Sequence, residues 1–198
     1  MSEWLTNNPD GVMVNIACGL DTRCYRIGGY AHWYNLDLPE TMAVRSKILS
    51  QSEKISQIAM SATDDWGTKI AETDGPTLII IEGLTMYLTE QEVKRIFEVI
   101  AKRFSDATVF VEIMSPLFVK NIKEKSIEAS KAKFTWGIKN GRALSEILPE
   151  FRFTEEHSLT EGMSKFIPVY KLLGKLSLVR NVSNKIAVLK RIQSDRSN

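Results

Sequence analysis

Val12-Met13-Val14-Asn15-Ile16-Ala17-Cys18-Gly19-Leu20-Asp21-Thr22-Arg23 opens as a nearly unbroken apolar, β-branched run and closes in small and polar residues. A run of this kind predicts a strand buried on both faces of a parallel sheet. The turn it enters is where an open α/β sheet lets a ligand approach the backbone. Ala17 and Gly19 keep side chains clear of that approach. Asp21 offers oxygens to a ligand amine or to the first amides of the next helix. Just upstream, Trp4-Leu5-Thr6-Asn7-Asn8-Pro9-Asp10-Gly11 reads as a helix tail breaking into a turn.

Outward from this strand, the chain alternates. A second short strand is expected over 33–37, and Pro39, whose fixed φ suits a first helical turn, starts a helix running to about residue 49. Further strands are expected over 55–60, 77–82 and 107–114, the last with Val109, Val111 and Ile113 alternating. Between the last two, Thr89-Glu90-Gln91-Glu92 forms a capping box ahead of a stripe of Val93, Ile96, Phe97 and Ile100. Strand–helix alternation with right-handed crossovers gives a doubly wound sheet covered on both sides. After Pro116, helices are expected over 117–132 and 141–148. Strand-like segments then follow at 151–153 and 185–192 as a closing hairpin-like pair, with a helical stretch over 162–176 packed on the sheet between them. No repeat or linker divides the chain, so 1–198 reads as one domain.

Composition narrows the function. The 198 residues are 43% hydrophobic and 25% charged, which excludes disordered, collagen-like and disulfide-scaffold classes. A net charge of +2 predicts no strong field toward nucleic acid or membrane. The excess of Lys and Arg after Lys165 lacks aromatic interleaving and reads as a solvated face. Apolar runs such as Leu78-Ile79-Ile80-Ile81 fall far short of the roughly 20 residues that span a bilayer, and the first residues spell no signal peptide. Two cysteines, Cys18 and Cys24, with only His32 and His157 elsewhere, spell neither a disulfide framework nor a metal site, and a cytoplasmic location fits. His157, among carboxylates, reads as a solvent-facing side chain, and His32 at a strand start carries no more.

Eighteen residues beyond Gly19, Asp37 ends the second strand, where a carboxylate can hold both hydroxyls of a ribose. The competing reading is that Asp37 caps the helix that follows. A dinucleotide fingerprint needs three glycines as G-x-G-x-x-G, and only Gly19 of that set is present, which disfavours nicotinamide cofactors. A nucleoside without a pyrophosphate, of which S-adenosylmethionine is the obvious one, fits the turn better. Glu82 follows four apolar residues and enters a glycine turn, so a buried carboxylate there needs a partner: a sulfonium, an amine or the turn amides. Arg23 suits bidentate carboxylate recognition, or locks Asp21. Tyr87 offers a phenol to a substrate oxygen, or packs in the core. Phe134 and Trp136 line an apolar acceptor pocket or belong to the core.

Cys18-Gly19-Leu20-Asp21-Thr22-Arg23, Asn35-Leu36-Asp37-Leu38-Pro39-Glu40, Ser61-Ala62-Thr63-Asp64 and Glu82-Gly83-Leu84-Thr85-Met86-Tyr87-Leu88 together resemble the successive motifs of the leucine carboxyl methyltransferase family, especially its bacterial branch of tetracenomycin-type polyketide O-methyltransferases. Glu112-Ile113-Met114-Ser115-Pro116, Ala132-Lys133-Phe134-Thr135-Trp136-Gly137 and Leu172-Leu173-Gly174-Lys175-Leu176 extend the likeness over nearly the whole chain.

The resemblance implies a class I, Rossmann-like S-adenosylmethionine-dependent methyltransferase fold, a seven-stranded sheet in the order 3-2-1-4-5-7-6 with strand 7 antiparallel. It places Gly19 under the methionine part of the cofactor and counts Ala17, Asp21 and Arg23 among the cofactor-binding residues. Asp37 would lie at the ribose, Thr63 and Asp64 beside the adenine, and Glu82 facing the cofactor, with Leu38 and Gly83 also among the cofactor-binding residues. Tyr87 would lie toward the reacting methyl, and 115–150 would form a helical insertion on the acceptor side. The implied activity is methyl transfer to a hydroxyl or carboxylate of a small, polyketide-like acceptor. Family members usually carry a further N-terminal helical region with an Arg that reaches the cofactor carboxylate. No counterpart is expected here, which predicts a homodimer or partner covering the face left open. The competing expectation is a non-catalytic methyltransferase-like domain that keeps the sheet and serves as an interaction module.

Overall fold

The computed structural model describes residues 1–121, 133–159 and 184–192. Seven strands form one sheet: β1 (Gly11–Ile16), β2 (Tyr30–Asp37), β3 (Ile55–Ala59), β4 (Thr77–Ile81), β5 (Ala107–Ile113), β6 (Phe151–Ser158) and β7 (Lys185–Arg191). Their order is β3-β2-β1-β4-β5-β7-β6. The first five are mutually parallel, and β7 runs antiparallel to both β5 and β6. Order and polarity are those expected from the motif resemblance.

Every residue of β1 and β4 is buried, as two central strands covered on both faces must be. One face packs Val12, Val14, Ile16, Ile79, Ile81, Val109 and Val111 under α4 (Glu90–Arg103). The other packs Met13, Leu78, Ile80 and Trp33 with Leu5 of α1 (Ser2–Asn7). The capping box opens α4 as expected: the Thr89 amide donates to Glu92 Oε2 at 2.7 Å, and the Glu92 amide donates to Thr89 Oγ1 at 3.3 Å. Val93, Ile96, Phe97, Val99 and Ile100 of α4 are buried. Each contributes about 1.5–3 kcal/mol of apolar transfer, set against the entropy of ordering the chain.

Several boundaries differ from the expected ones, for local reasons. Strand β1 stops at Ile16 because Ala17 turns into the left-handed region, φ 55°. Strand β2 begins at Tyr30, three residues early, because its first residues pair with Gly11 and Val12. Strand β6 extends to Ser158; its polar second half lies at the sheet edge, where exposed side chains are the rule. The helix α3 (Pro39–Ile48) starts at Pro39 as read. Next come α5 (Pro116–Asn121) and α6 (Gly141–Glu146); α6 ends two residues earlier than expected. The helical expectations over 122–132 and 162–176 lie outside the described residues.

Ala17, in the turn after β1, is like Asp10 a non-glycine residue with positive φ. An L side chain pays about 1–2 kcal/mol there, part of which glycine returns through the freer unfolded chain. Ala17→Gly is therefore expected to stabilise the protein by about 0.5 kcal/mol, raising Tm by about 1–2 °C. A lower Tm by calorimetry would contradict this account of the turn.

Candidate functional site

The C-terminal tips of β1, β2 and β4 lie side by side, because Asn15 pairs with both Asn35 and Ile80 in parallel register. Each tip ends in residues that cannot fill the space above it. At Gly19 (φ 49°) and Gly83 (φ 65°), nothing lies within 4 Å of where a Cβ would project. The positive φ values explain why glycine is needed there, and the space beside both turns, after β1 and after β4, is open.

Asp37 closes β2 beside the open turn that holds Gly19. Its Oδ2 accepts the Gly19 amide at 2.7 Å and its Oδ1 accepts the Leu38 amide at 2.8 Å. It does not cap α3, whose N-cap is Leu38 and carries no side-chain cap bond. The helix-capping reading is thus set aside. A carboxylate has about four lone-pair sites, so acceptor capacity remains on each fixed oxygen. Leu38 beside it is 44% exposed, an apolar surface next to the carboxylate.

Asp21 and Glu82 face each other through Arg23. The Arg23 Nε donates to Asp21 Oδ2 at 2.6 Å, and its Nη2 forms an ion pair with Glu82 Oε2. Asp21 also accepts the Arg23 amide at 2.8 Å and the buried Asn15 side-chain amide at 2.8 Å, so it is engaged by three protein groups. Of its two readings, bonding to the first residue of α2 (Arg23–Arg26) holds. Glu82 departs from expectation. Its side chain is 42% exposed, because the chain leaves the sheet at Ile81, and its partner is a guanidinium. Burial of Arg23 works against its charge, but the bonds to Glu82 and Asp21 outweigh this and hold it firmly protonated.

Thr63 and Asp64 lie in the turn after β3, next to Asp37, whose carbonyl accepts the Met60 amide at 3.0 Å. Within the turn, Ser61 Oγ and Thr63 Oγ1 are 2.9 Å apart and Asp64 Oδ2 accepts the Ser61 amide at 3.1 Å. On the other side, Tyr87 ends a short 3₁₀ turn (Thr85–Tyr87) and is 39% exposed, its ring 5.4 Å from that of Phe134. The 134–136 segment is hung there by its backbone: the Thr135 amide donates to the Met86 carbonyl at 2.8 Å. Trp136 packs against the main core, so of the two aromatics only Phe134 stands beside Tyr87.

Two residues that shape the site carry no role in the sequence reading. Glu112 on β5 accepts the Gly83 amide at 2.8 Å and the Asn184 side-chain amide at 2.7 Å, tying the β4 turn to the approach of β7. Asn15, 2% exposed, holds Asp21 from below. The available signal was a polar residue inside an otherwise apolar strand. Cys18, between Ala17 and Gly19, is buried, and that burial, opposed by Arg45 and reinforced by Asp37 and Asp21, pushes its thiol up to about 12. Thiolate is the reactive form. Cys18 is therefore expected to be silent toward a disulfide reagent at pH 8 in the native protein and to react on unfolding. Rapid labelling of the folded chain would contradict the burial.

The comparisons agree with this geometry. A family model described as leucine carboxyl methyltransferase matches residues 7–101, which contain β1 to β4 and the turns that follow them. The tetracenomycin polyketide synthesis O-methyltransferase TcmP of Streptomyces glaucescens is 29% identical over 184 residues, 88% of this chain and 68% of that protein. Over residues 7–101 the chain is similar to the leucine carboxyl methyltransferase family. A second relative, the S-adenosyl-L-methionine-dependent methyltransferase dpfgK of Gibberella zeae, is 25% identical over 173 residues, 77% of this chain and 57% of its own length. Among solved structures, an S-adenosylmethionine-dependent methyltransferase from Anabaena variabilis superposes with a TM-score of 0.62 at 12% identity, covering 93% of this chain and 79% of that one. The N-methyltransferase NodS of Bradyrhizobium japonicum, in complex with S-adenosyl-L-homocysteine, gives 0.59 at 10% identity, covering 94% and 81%. At these identities the structural likeness establishes the Rossmann-like methyltransferase fold. The similarity to the leucine carboxyl methyltransferase family rests on the sequence matches.

Proposed function

We propose that the chain is an S-adenosylmethionine-dependent O-methyltransferase whose acceptor is a hydroxyl or carboxylate of a small, polyketide-like molecule. The observation that carries this reading is the Asp37 carboxylate, fixed through both oxygens by the Gly19 and Leu38 amides beside the open space at Gly19. The residues present fit an adenosyl amino acid. Asp37 takes the ribose hydroxyls, Leu38 with Thr63 and Asp64 flanks the base, and Gly19 and Gly83 leave room for the chain between them. At the amino-acid end, Arg23 takes the carboxylate and Glu82 the ammonium; Asp21, already holding three donors, stays the anchor of Arg23. When bound, the cofactor supplies a methyl group on a positively charged sulfur, open to direct displacement by an acceptor oxygen.

The chain's own contribution is alignment and exclusion of water. A carboxylate acceptor is ionised at neutral pH and needs no base, whereas a phenol or alcohol must lose a proton. His157, exposed and paired with Glu155 on β6, is no candidate for that step. This favours acidic oxygens. Tyr87, beside Phe134, orients the acceptor oxygen. Tyr87→Phe is expected to leave S-adenosylhomocysteine affinity within about twofold and to lower kcat about tenfold, the loss of one hydrogen bond at the reacting oxygen.

The test is transfer of a labelled methyl from S-adenosylmethionine to a panel of aromatic carboxylic acids and phenols. A base-labile product marks an ester and a base-stable one an ether; the account expects one of the two. Label on nitrogen or carbon would overturn the O-methyltransferase reading, and cofactor binding without transfer would establish the non-catalytic domain instead.

A further inference from the structure

We infer that Arg45 is a positioning residue for the cofactor turn: its buried guanidinium holds the Gly19 carbonyl so that the Gly19 amide can orient Asp37 toward a ligand. The inference rests on the methyltransferase reading of the site and assigns a role to a residue outside it.

Arg45 lies in the last turn of α3 and is 0% exposed. Its Nη1 donates to the Gly19 carbonyl at 2.9 Å and its Nη2 reaches Cys24 Sγ, on α2, at 3.7 Å. The Nε is buried with no hydrogen-bond partner. Among the described residues, no carboxylate forms an ion pair with it within 4.0 Å. Its guanidinium also interacts with the Tyr25 hydroxyl. A buried cation without a directly paired carboxylate is a costly way to fill a helix–sheet gap; an apolar side chain of similar volume would pack there at lower cost. The placement makes sense through what it holds. The Gly19 residue, with φ 49°, is gripped at both ends, its N–H by Asp37 and its C=O by Arg45. Freed of either bond, a glycine reverts to a broad range of conformations. Arg45, Asp37 and Asp21 all act on the buried Cys18 thiol, so the guanidinium lies in the same neighbourhood as both carboxylates.

The experiment uses the full chain, Arg45→Met and Arg45→Lys, with S-adenosylhomocysteine as probe. Three quantities are read: Gly19 amide hydrogen exchange without ligand, calorimetric affinity, and the guanidinium resonances of Arg45 in the unsubstituted protein. For Arg45→Met, Gly19 exchange is expected to quicken and affinity to fall, each about tenfold or more. Arg45→Lys, which keeps a cationic donor, recovers most of both. A folded Arg45→Met protein with exchange and affinity within about twofold of the parent would overturn the inference, whatever its Tm. If that variant does not fold, the parent decides: guanidinium resonances that shift on saturation with the probe support the role, and unmoved ones refute it. If the parent does not bind the probe, the methyltransferase reading fails by itself. Gly19 exchange in the ligand-free variants then decides whether Arg45 holds the turn.

Discussion

Asp37→Ala is expected to weaken S-adenosylhomocysteine binding by at least about 100-fold, to the limit of calorimetric detection. Three losses coincide. The ribose hydroxyls lose a charged acceptor, and hydrogen bonds to ionised groups are roughly twice as strong as neutral ones. The Gly19 amide, 2.7 Å from Asp37 Oδ2, loses the group that fixes the turn, and the Leu38 amide, 2.8 Å from Oδ1, is released with it. The sheet itself keeps its register, because Asp37 pairs with Ala59 through backbone only. Stability should therefore fall by only about 1–2 kcal/mol, and the binding defect is separable from unfolding. Parent-like affinity in a folded Asp37→Ala protein would refute the ribose role.

Arg23→Ala is expected to damage the amino-acid end to a similar degree. Arg23 neutralises both Asp21 and Glu82. Its removal leaves two carboxylates facing each other across the tips of β1 and β4. Asp21 keeps the Asn15 side chain and a backbone amide, whereas Glu82 loses its cation. Affinity should fall about 30-fold or more, with a stability loss of about 1 kcal/mol that is small because Glu82 is open to solvent. A second substitution separates the two effects: Glu82→Gln in the Arg23→Ala background should recover stability and leave binding weak. Recovery of affinity in that double variant would show that Arg23 serves only to quiet Glu82.

How much of this was legible in the sequence depended on whether a residue's surroundings were local. Strands β1 and β4 are written in runs of apolar residues, because burial on both faces leaves no polar position to misread. The capping box of α4 is satisfied within four residues of chain, and so appears in the sequence as it does in the structure. Asp37 was found by its place at a strand tip eighteen residues from Gly19, and the structure joins the two directly. Arg45 was not legible, because a cation in a helix reads as solvent-facing and its partner, the Gly19 carbonyl, is a backbone atom with no sequence signature. Glu112 looked like the outward position of an alternating strand, and its real partners, the Gly83 amide and Asn184, come from distant segments. Glu82 misled in the other direction: four apolar residues before it suggested burial, but the chain had already left the sheet.

The most direct test of the central claim is a crystal structure of the chain with S-adenosylhomocysteine. The account predicts density across the tips of β1, β2 and β4, with the ribose hydroxyls on Asp37 and the amino-acid end between Arg23 and Glu82. Tips covered by the protein's own side chains, or the nucleoside bound elsewhere with Asp37 untouched, would contradict it.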